Sequence, residues 1–107
     1  MIGLEEIECF KKILVNTIQN SVGQCTVYLF GSRAQGTNTP RSDIDLAVTT
    51  GHELALGTIE IIKEKIDDLN IPLCVDVVDL NAVSSVMKQQ ILKNGIIWNQ
   101  SITKKIN

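Results

Sequence analysis

The stretch Leu29-Phe30-Gly31-Ser32-Arg33-Ala34-Gln35-Gly36-Thr37-Asn38-Thr39-Pro40-Arg41-Ser42-Asp43-Ile44-Asp45-Leu46-Ala47-Val48 decides the fold of this chain. An apolar run passes into Gly31-Ser32, and a polar loop punctuated by Gly36 and Pro40 follows. A second apolar run then opens on Asp43-Ile44-Asp45. Side chains alternate between the faces of a strand, so Ile44, Leu46 and Val48 share one face while Asp43, Asp45 and Ala47 share the other. The first set calls for a core, and the second for water, a metal or a ligand. The stretch therefore sets a small backbone turn beside two carboxylates.

Outward from this stretch the elements read as follows. Cys25 to Phe30 form the first strand, with β-branched and aromatic residues in a short run. Gly31 to Ser42 form the loop, with room for one helical turn from Ser32, and Asp43 to Val48 form the second strand. Upstream, residues 4–19 are an amphipathic helix. Ile7, Phe10, Leu14 and Ile18 recur at helical spacing, opposite Glu5, Glu6, Glu8, Lys11 and Lys12, and Ser21-Val22-Gly23 ends the run. Downstream, a second helix is predicted from about Glu53 to Leu69 on the stripe Ala55, Ile59, Ile62, Ile66 and Leu69, stopped by Asn70 and Pro72. Asp67 and Asp68 near its C-terminus read as a solvated face.

Leu73 to Leu80 is the third strand, and its link to the second through a helix predicts a parallel pair. Residues 82–93 give a last helix closed by Asn94-Gly95, Ile96-Ile97-Trp98 a short edge strand, and Ser101 to Asn107 a frayed tail. The fold class is thus α/β, a small mixed sheet with helices covering one face.

Composition narrows the function. The 107 residues are read as one domain with one modest core, and the sequence is 44% hydrophobic and 21% charged, which is globular rather than disordered. A net charge of −2 argues against gripping duplex nucleic acid through its phosphates. No apolar run is long enough for a bilayer, and the acidic N-terminus does not read as a signal peptide, so a cytoplasmic protein is expected. Cys9, Cys25 and Cys74 lack paired spacing and are read as reduced, mostly buried small apolar residues. His52 carries no catalytic assignment.

Asp76 lies inside the third strand, where apolar residues are expected, and a carboxylate buried alone is costly. With helices on the Ile44/Leu46/Val75/Val77 face, Asp76 emerges on the same open face as Asp43 and Asp45. Like charges brought that close repel, and divalent cations resolve the repulsion. Mg²⁺ takes oxygen ligands, commonly one or two carboxylates plus substrate phosphates. Two such ions roughly 4 Å apart stabilise the attacking and leaving oxygens of an in-line displacement at phosphorus. Gly31 permits close backbone approach, and Ser32 offers a hydroxyl and an N–H to an anion. Arg33 has two readings, a phosphate ligand or a partner of an acid in the site. Asp79 falls on the face opposite Asp76 and reads as structural or as a helix cap.

Phe30-Gly31-Ser32-Arg33-Ala34-Gln35-Gly36, followed by Ser42-Asp43-Ile44-Asp45-Leu46-Ala47-Val48, resembles the signature of the DNA polymerase beta-type nucleotidyltransferases. With Val75-Asp76-Val77-Val78-Asp79-Leu80 behind it, the chain is similar to the minimal nucleotidyltransferases, the MNT-domain proteins, from the first helix to about Trp98. The resemblance implies Mg²⁺ held by Asp43, Asp45 and Asp76, with ATP phosphates at Gly31, Ser32 and Arg33. It implies attack of a hydroxyl on the α-phosphorus with loss of pyrophosphate, and Asp76 helping to activate that hydroxyl. It further implies an antitoxin that adenylylates a tyrosine of a partner HEPN-domain ribonuclease toxin. Many relatives carry a second basic residue where this chain has Gln35.

No residues are left over for a base-gripping or acceptor domain, so a partner protein or a second copy of the chain is expected to complete the site. Ile96, Ile97, Trp98 and Met87 are candidates for that contact or for the core. Two other functions compete: an antitoxin that only binds and occludes its partner, and small-molecule nucleotidyl transfer of the aminoglycoside-inactivating kind. The three acids argue against the first, and the missing acceptor domain against the second.

Overall fold

A computed structural model describes residues 4–100. The expectation for the tail Ser101 to Asn107 lies outside them, as do the side chains of Glu5 and Glu6. In chain order the elements are α1 (Leu4–Val22), β1 (Thr26–Phe30), α2 (Ser32–Gln35), β2 (Ile44–Thr49), α3 (Thr58–Asp67), β3 (Val75–Asp79), α4 (Ser85–Asn94) and β4 (Ile96–Gln100). The strands form one sheet in the order β3-β2-β1-β4. β1 runs antiparallel to both β2 and β4, and β2 and β3 are parallel, as a helical crossover requires.

The main core lies between one face of the sheet and helices α1 and α3. Ile7, Leu14 and Ile18 of α1, Ile62 of α3, Val27 and Leu29 of β1 and Ile44, Leu46 and Val48 of β2 have no exposure at all. Each fully buried aliphatic side chain of this kind stabilises the fold by about 1.5–3 kcal/mol relative to exposure. Gly23, at φ +78, ends α1, and its N–H bonds the Gln19 carbonyl at 2.8 Å. Trp98 is buried in the same core and Ile96 packs against it, so both finish the core, whereas Ile97 stays exposed on the edge strand.

The second face is only partly open. Ala47 is fully buried there, packed with Leu80 and with Ile91 of α4, while Tyr28, Phe30, Val78 and Met87 border the cluster. The expectation that Ala47 faces water or a ligand is therefore corrected, because α4 lies over that part of the sheet. Ser84 caps α4, its hydroxyl accepting from Met87 N–H at 3.2 Å.

Two further expectations change. The predicted helix at Glu53 begins only at Thr58, leaving Ala55 exposed outside it. The Leu54 N–H is taken by the Asp79 carboxylate at 2.8 Å, and Gly57 adopts φ +88, so the chain cannot coil before Thr58. Of the cysteines only Cys25 is buried, where desolvation raises its thiol pKa, while Cys9 and Cys74 are exposed, and none forms a disulfide. Among the described residues no helix is long and apolar enough to cross a membrane.

Candidate active site

Strand register sets Asp45 beside Asp76. Phe30 pairs with Asp45 across β1 and β2, and Asp45 pairs with Asp76 across β2 and β3. Neighbouring strands lie about 4.8 Å apart, so Asp45 and Asp76 stand side by side on one face. Asp43 immediately precedes β2 and is exposed, Asp45 is half-buried and Asp76 is exposed. The Ile44 N–H bonds the Cys74 carbonyl at 2.8 Å, which locks the mouth of β2 against the start of β3. The Asp45 carboxyl titrates above its ordinary value of 3.8, first because burial desolvates it and then through the charges of Asp43 and Asp76. Asp43 and Asp76 thus lie near enough for their charges to act on Asp45.

Gly31 is set against this cluster. Its backbone, at φ 77 and ψ −156, occupies a region essentially restricted to glycine. A Cβ added there would collide with Asp45 Oδ2 and lie 3.2 Å from its Cγ. The glycine thus lets the turn come directly against the carboxylate. α2 is a single turn from Ser32 to Gln35, the Ala34 and Gln35 N–H groups bonding the Gly31 carbonyl at 3.1 and 3.2 Å. Ser32 heads that turn beside Asp45, with its hydroxyl and N–H at the same end of the sheet as the acids.

Arg33 is 1% exposed. Its Nε donates to the Ser42 carbonyl at 3.1 Å, and one terminal nitrogen donates to the carbonyls of Pro40 at 3.2 Å and Thr39 at 3.5 Å. The loop also ties itself, Ser42 Oγ accepting from the Thr39 N–H at 2.8 Å. The guanidinium therefore grips the segment that delivers Asp43. Gln35 and Arg41 are exposed.

Sequence reasoning missed Lys63. It extends from α3 to the edge strand, and its Nζ lies 3.4 Å from Asp76 Oδ1, with both side chains about half exposed. Such an exposed pair contributes about 1 kcal/mol or less. Its one sequence signal is its place beside Ile62 on the helix that crosses from β2 to β3. Asp79 is on the opposite face, as expected, and is a structural acceptor: Oδ2 takes the Leu54 N–H and Oδ1 the Asn81 N–H at 2.9 Å.

All the oxygen donors suit a hard cation. Among the described residues no three His, Cys, Asp or Glu side chains stand close enough together to hold a metal ion between them. The adjacent pair Asp45 and Asp76 still offers the one or two carboxylates that Mg²⁺ commonly takes, the rest of its shell coming from substrate phosphates and water.

Comparison with known proteins bears on the family. The family model for polymerase beta nucleotidyltransferases matches residues 11–101. The protein adenylyltransferase MntA of Shewanella oneidensis is 39% identical over 70 residues, covering 64% of this chain and 49% of that protein. The chain thus spans about half the length of that relative. The probable protein adenylyltransferase MntA of Haemophilus influenzae is 33% identical over 93 residues, covering 87% of this chain and 78% of its own. A crystal structure of a toxin–antitoxin with AMP-PNP superposes with a TM-score of 0.72 at 28% identity, over 84% of this chain and 73% of the other. With that family model matching residues 11–101 and a relative 33% identical over 87% of the chain, this chain belongs to the polymerase beta nucleotidyltransferase family.

Proposed function

We propose that the chain is one minimal nucleotidyltransferase domain that transfers AMP from ATP to a tyrosine hydroxyl of a partner HEPN ribonuclease toxin, and so neutralises it. The observation that carries this reading is the pairing of Asp45 with Asp76 while Gly31 closes directly on Asp45. A phosphate turn and an acid cluster in contact suit a metal-bound polyphosphate. The toxin partner is supported by the relatives named protein adenylyltransferase and by the toxin–antitoxin structure with AMP-PNP.

Asp43, Asp45 and Asp76 would hold Mg²⁺, two ions in the full site, and the metal would supply charge neutralisation at the phosphates. Ser32 and the backbone at Gly31 bind the β- and γ-phosphates and orient the α-phosphorus toward Asp45. The acceptor oxygen attacks that phosphorus, its new P–O bond replacing the bond to pyrophosphate. The acceptor proton passes to an Asp76 carboxylate oxygen, and the half-exposed face of β3 gives the acceptor its approach. Arg33 acts through the loop, holding Ser42 and hence Asp43 in place.

The test is transfer of label from α-labelled ATP, with Mg²⁺, to the protein encoded beside this one. Wild type labels that protein on tyrosine, and Asp43→Asn/Asp45→Asn does not. A double mutant that still neutralises the partner without label would replace the enzyme with an occluding antitoxin. Label passed to an aminoglycoside and none to the partner would replace it with small-molecule transfer.

A further inference from the structure

We infer that a cavity between α4 and the Gly31 turn is the adenine subsite, with Gln90 and Asn94 as its specificity-determining residues. This rests on the nucleotidyltransferase reading and names the part of the substrate that the acid cluster does not address. The cavity measures about 150 Å³. Its apolar walls are Phe30 at the end of β1 and Met87 and Ile91 on α4, and it is bounded by Gly31 itself.

Size and place fix the kind of ligand. A cavity of about 150 Å³ admits a ring system. It is well below the roughly 300–1,000 Å³ that a whole drug-sized ligand fills. One half-open slot of this size takes a planar base and leaves the sugar and phosphates outside. The phosphates have their place already, because Gly31 forms both the wall of the slot and the turn against Asp45. Phe30 pairs with Asp45, so the slot lies on the β1 side of the acid cluster, away from Asp76, which stands beyond β2. Base and acceptor thus approach from opposite sides of Asp45.

The polar lining sets the choice of base. Met87, Gln90, Ile91 and Asn94 follow helical spacing and share one face of α4. That face offers an apolar pair beside an amide pair. Neither amide has a hydrogen-bond partner among the described residues. A carboxamide matches adenine edge to edge, its oxygen accepting from N6–H and its NH₂ donating to N7, whereas guanine presents two acceptors there and is matched by Arg or Lys. No Arg or Lys lines the cavity. The slot therefore selects ATP over GTP.

The test measures binding of ATP, GTP and inorganic tripolyphosphate to the full chain in Mg²⁺ by calorimetry. It compares wild type with Gln90→Ala/Asn94→Ala and with the slot-filling Met87→Trp, each checked by circular dichroism for a native melt. Wild type is expected to bind ATP more tightly than GTP by roughly 5- to 100-fold, the discrimination of one good bidentate amide–adenine match. The double variant loses that preference while holding tripolyphosphate as wild type does, and Met87→Trp weakens both nucleotides but not tripolyphosphate. Wild-type preference in the properly folded double variant, or wild-type affinity for ATP in properly folded Met87→Trp, would overturn the adenine subsite while leaving the transferase reading intact. So would a double variant that binds ATP normally but needs more acceptor protein for half-maximal transfer, since the slot would then receive the acceptor ring. Failure of wild type to bind ATP or tripolyphosphate would instead remove the transferase reading itself.

Discussion

Asp76 and Asp79 stand three residues apart on the same strand and have opposite chemical lives. Asp79 is 8% exposed, and each of its oxygens receives a backbone N–H, from Leu54 and from Asn81. Thr49, at the same end of the sheet, donates its hydroxyl to Asn81. Asp76 is half exposed, meets a single flexible lysine, and adds its charge to that of Asp43 in raising the Asp45 pKa. At one end of the sheet a carboxylate is consumed by the fold. At the other, a carboxylate stands open beside a second one, with only an exposed lysine against it.

This contrast is broken most severely at Asp76. Asp76→Asn is expected to lower transfer to the partner by about 10²–10³-fold, the scale of losing one preorganised charged group. Its melting temperature should stay close to wild type, because only an exposed ion pair is lost. Labelled-ATP turnover and a thermal melt on the same preparation check both halves. A large drop in melting temperature would show that Asp76 is structural after all.

Asp79→Ala reverses the pattern. It leaves two partly buried N–H groups with no acceptor, each costing toward the lower end of about 1–3 kcal/mol. Destabilisation of about 2–4 kcal/mol is expected by urea titration, with turnover per folded molecule unchanged.

The smallest effect concerns Asp45 without metal. Its folded pKa is raised above the unfolded value, so the folded state binds the proton more readily. Its unfavourable contribution is absent below the unfolded value near 3.8 and grows as pH rises through the folded pKa. Asp45→Asn should therefore melt slightly higher than wild type at neutral pH in chelator, and the gain should vanish toward pH 4. A variant that melts lower at neutral pH in chelator would contradict this sign.

Much of this was legible in the chain because the relevant signals are local. Period-2 alternation separates Ile44, Leu46 and Val48 from Asp45, and an acid inside Val75–Leu80 marks Asp76 without any tertiary knowledge. What the sequence hid depends on contacts across the chain. Ala55 reads as helical until Asp79, 24 residues on, captures the neighbouring Leu54 N–H. Ala47 reads as open until α4 arrives over it, and nothing near Ala47 announces that arrival. Cys74 reads as a buried small apolar residue, yet it falls just before β3 and is exposed. Lys63 and the amides of α4 look like ordinary solvated residues, since their meaning comes from what the topology sets opposite them.

The pairing of Phe30 with Asp45 has a consequence for how such chains diverge. The distance between turn and acid is measured by a hydrogen-bonded ladder, not by the segment that joins them. That segment is an errand between two points already fixed, and each doubling of its length adds only about 0.6 kcal/mol of closure entropy. Insertions at its exposed tip, around Gly36 and Thr37, can accumulate while the chemistry stays in register. A search that counts residues between Gly-Ser and Asp-x-Asp would then lose descendants that a search for two antiparallel strands, one ending in glycine opposite an aspartate, would keep.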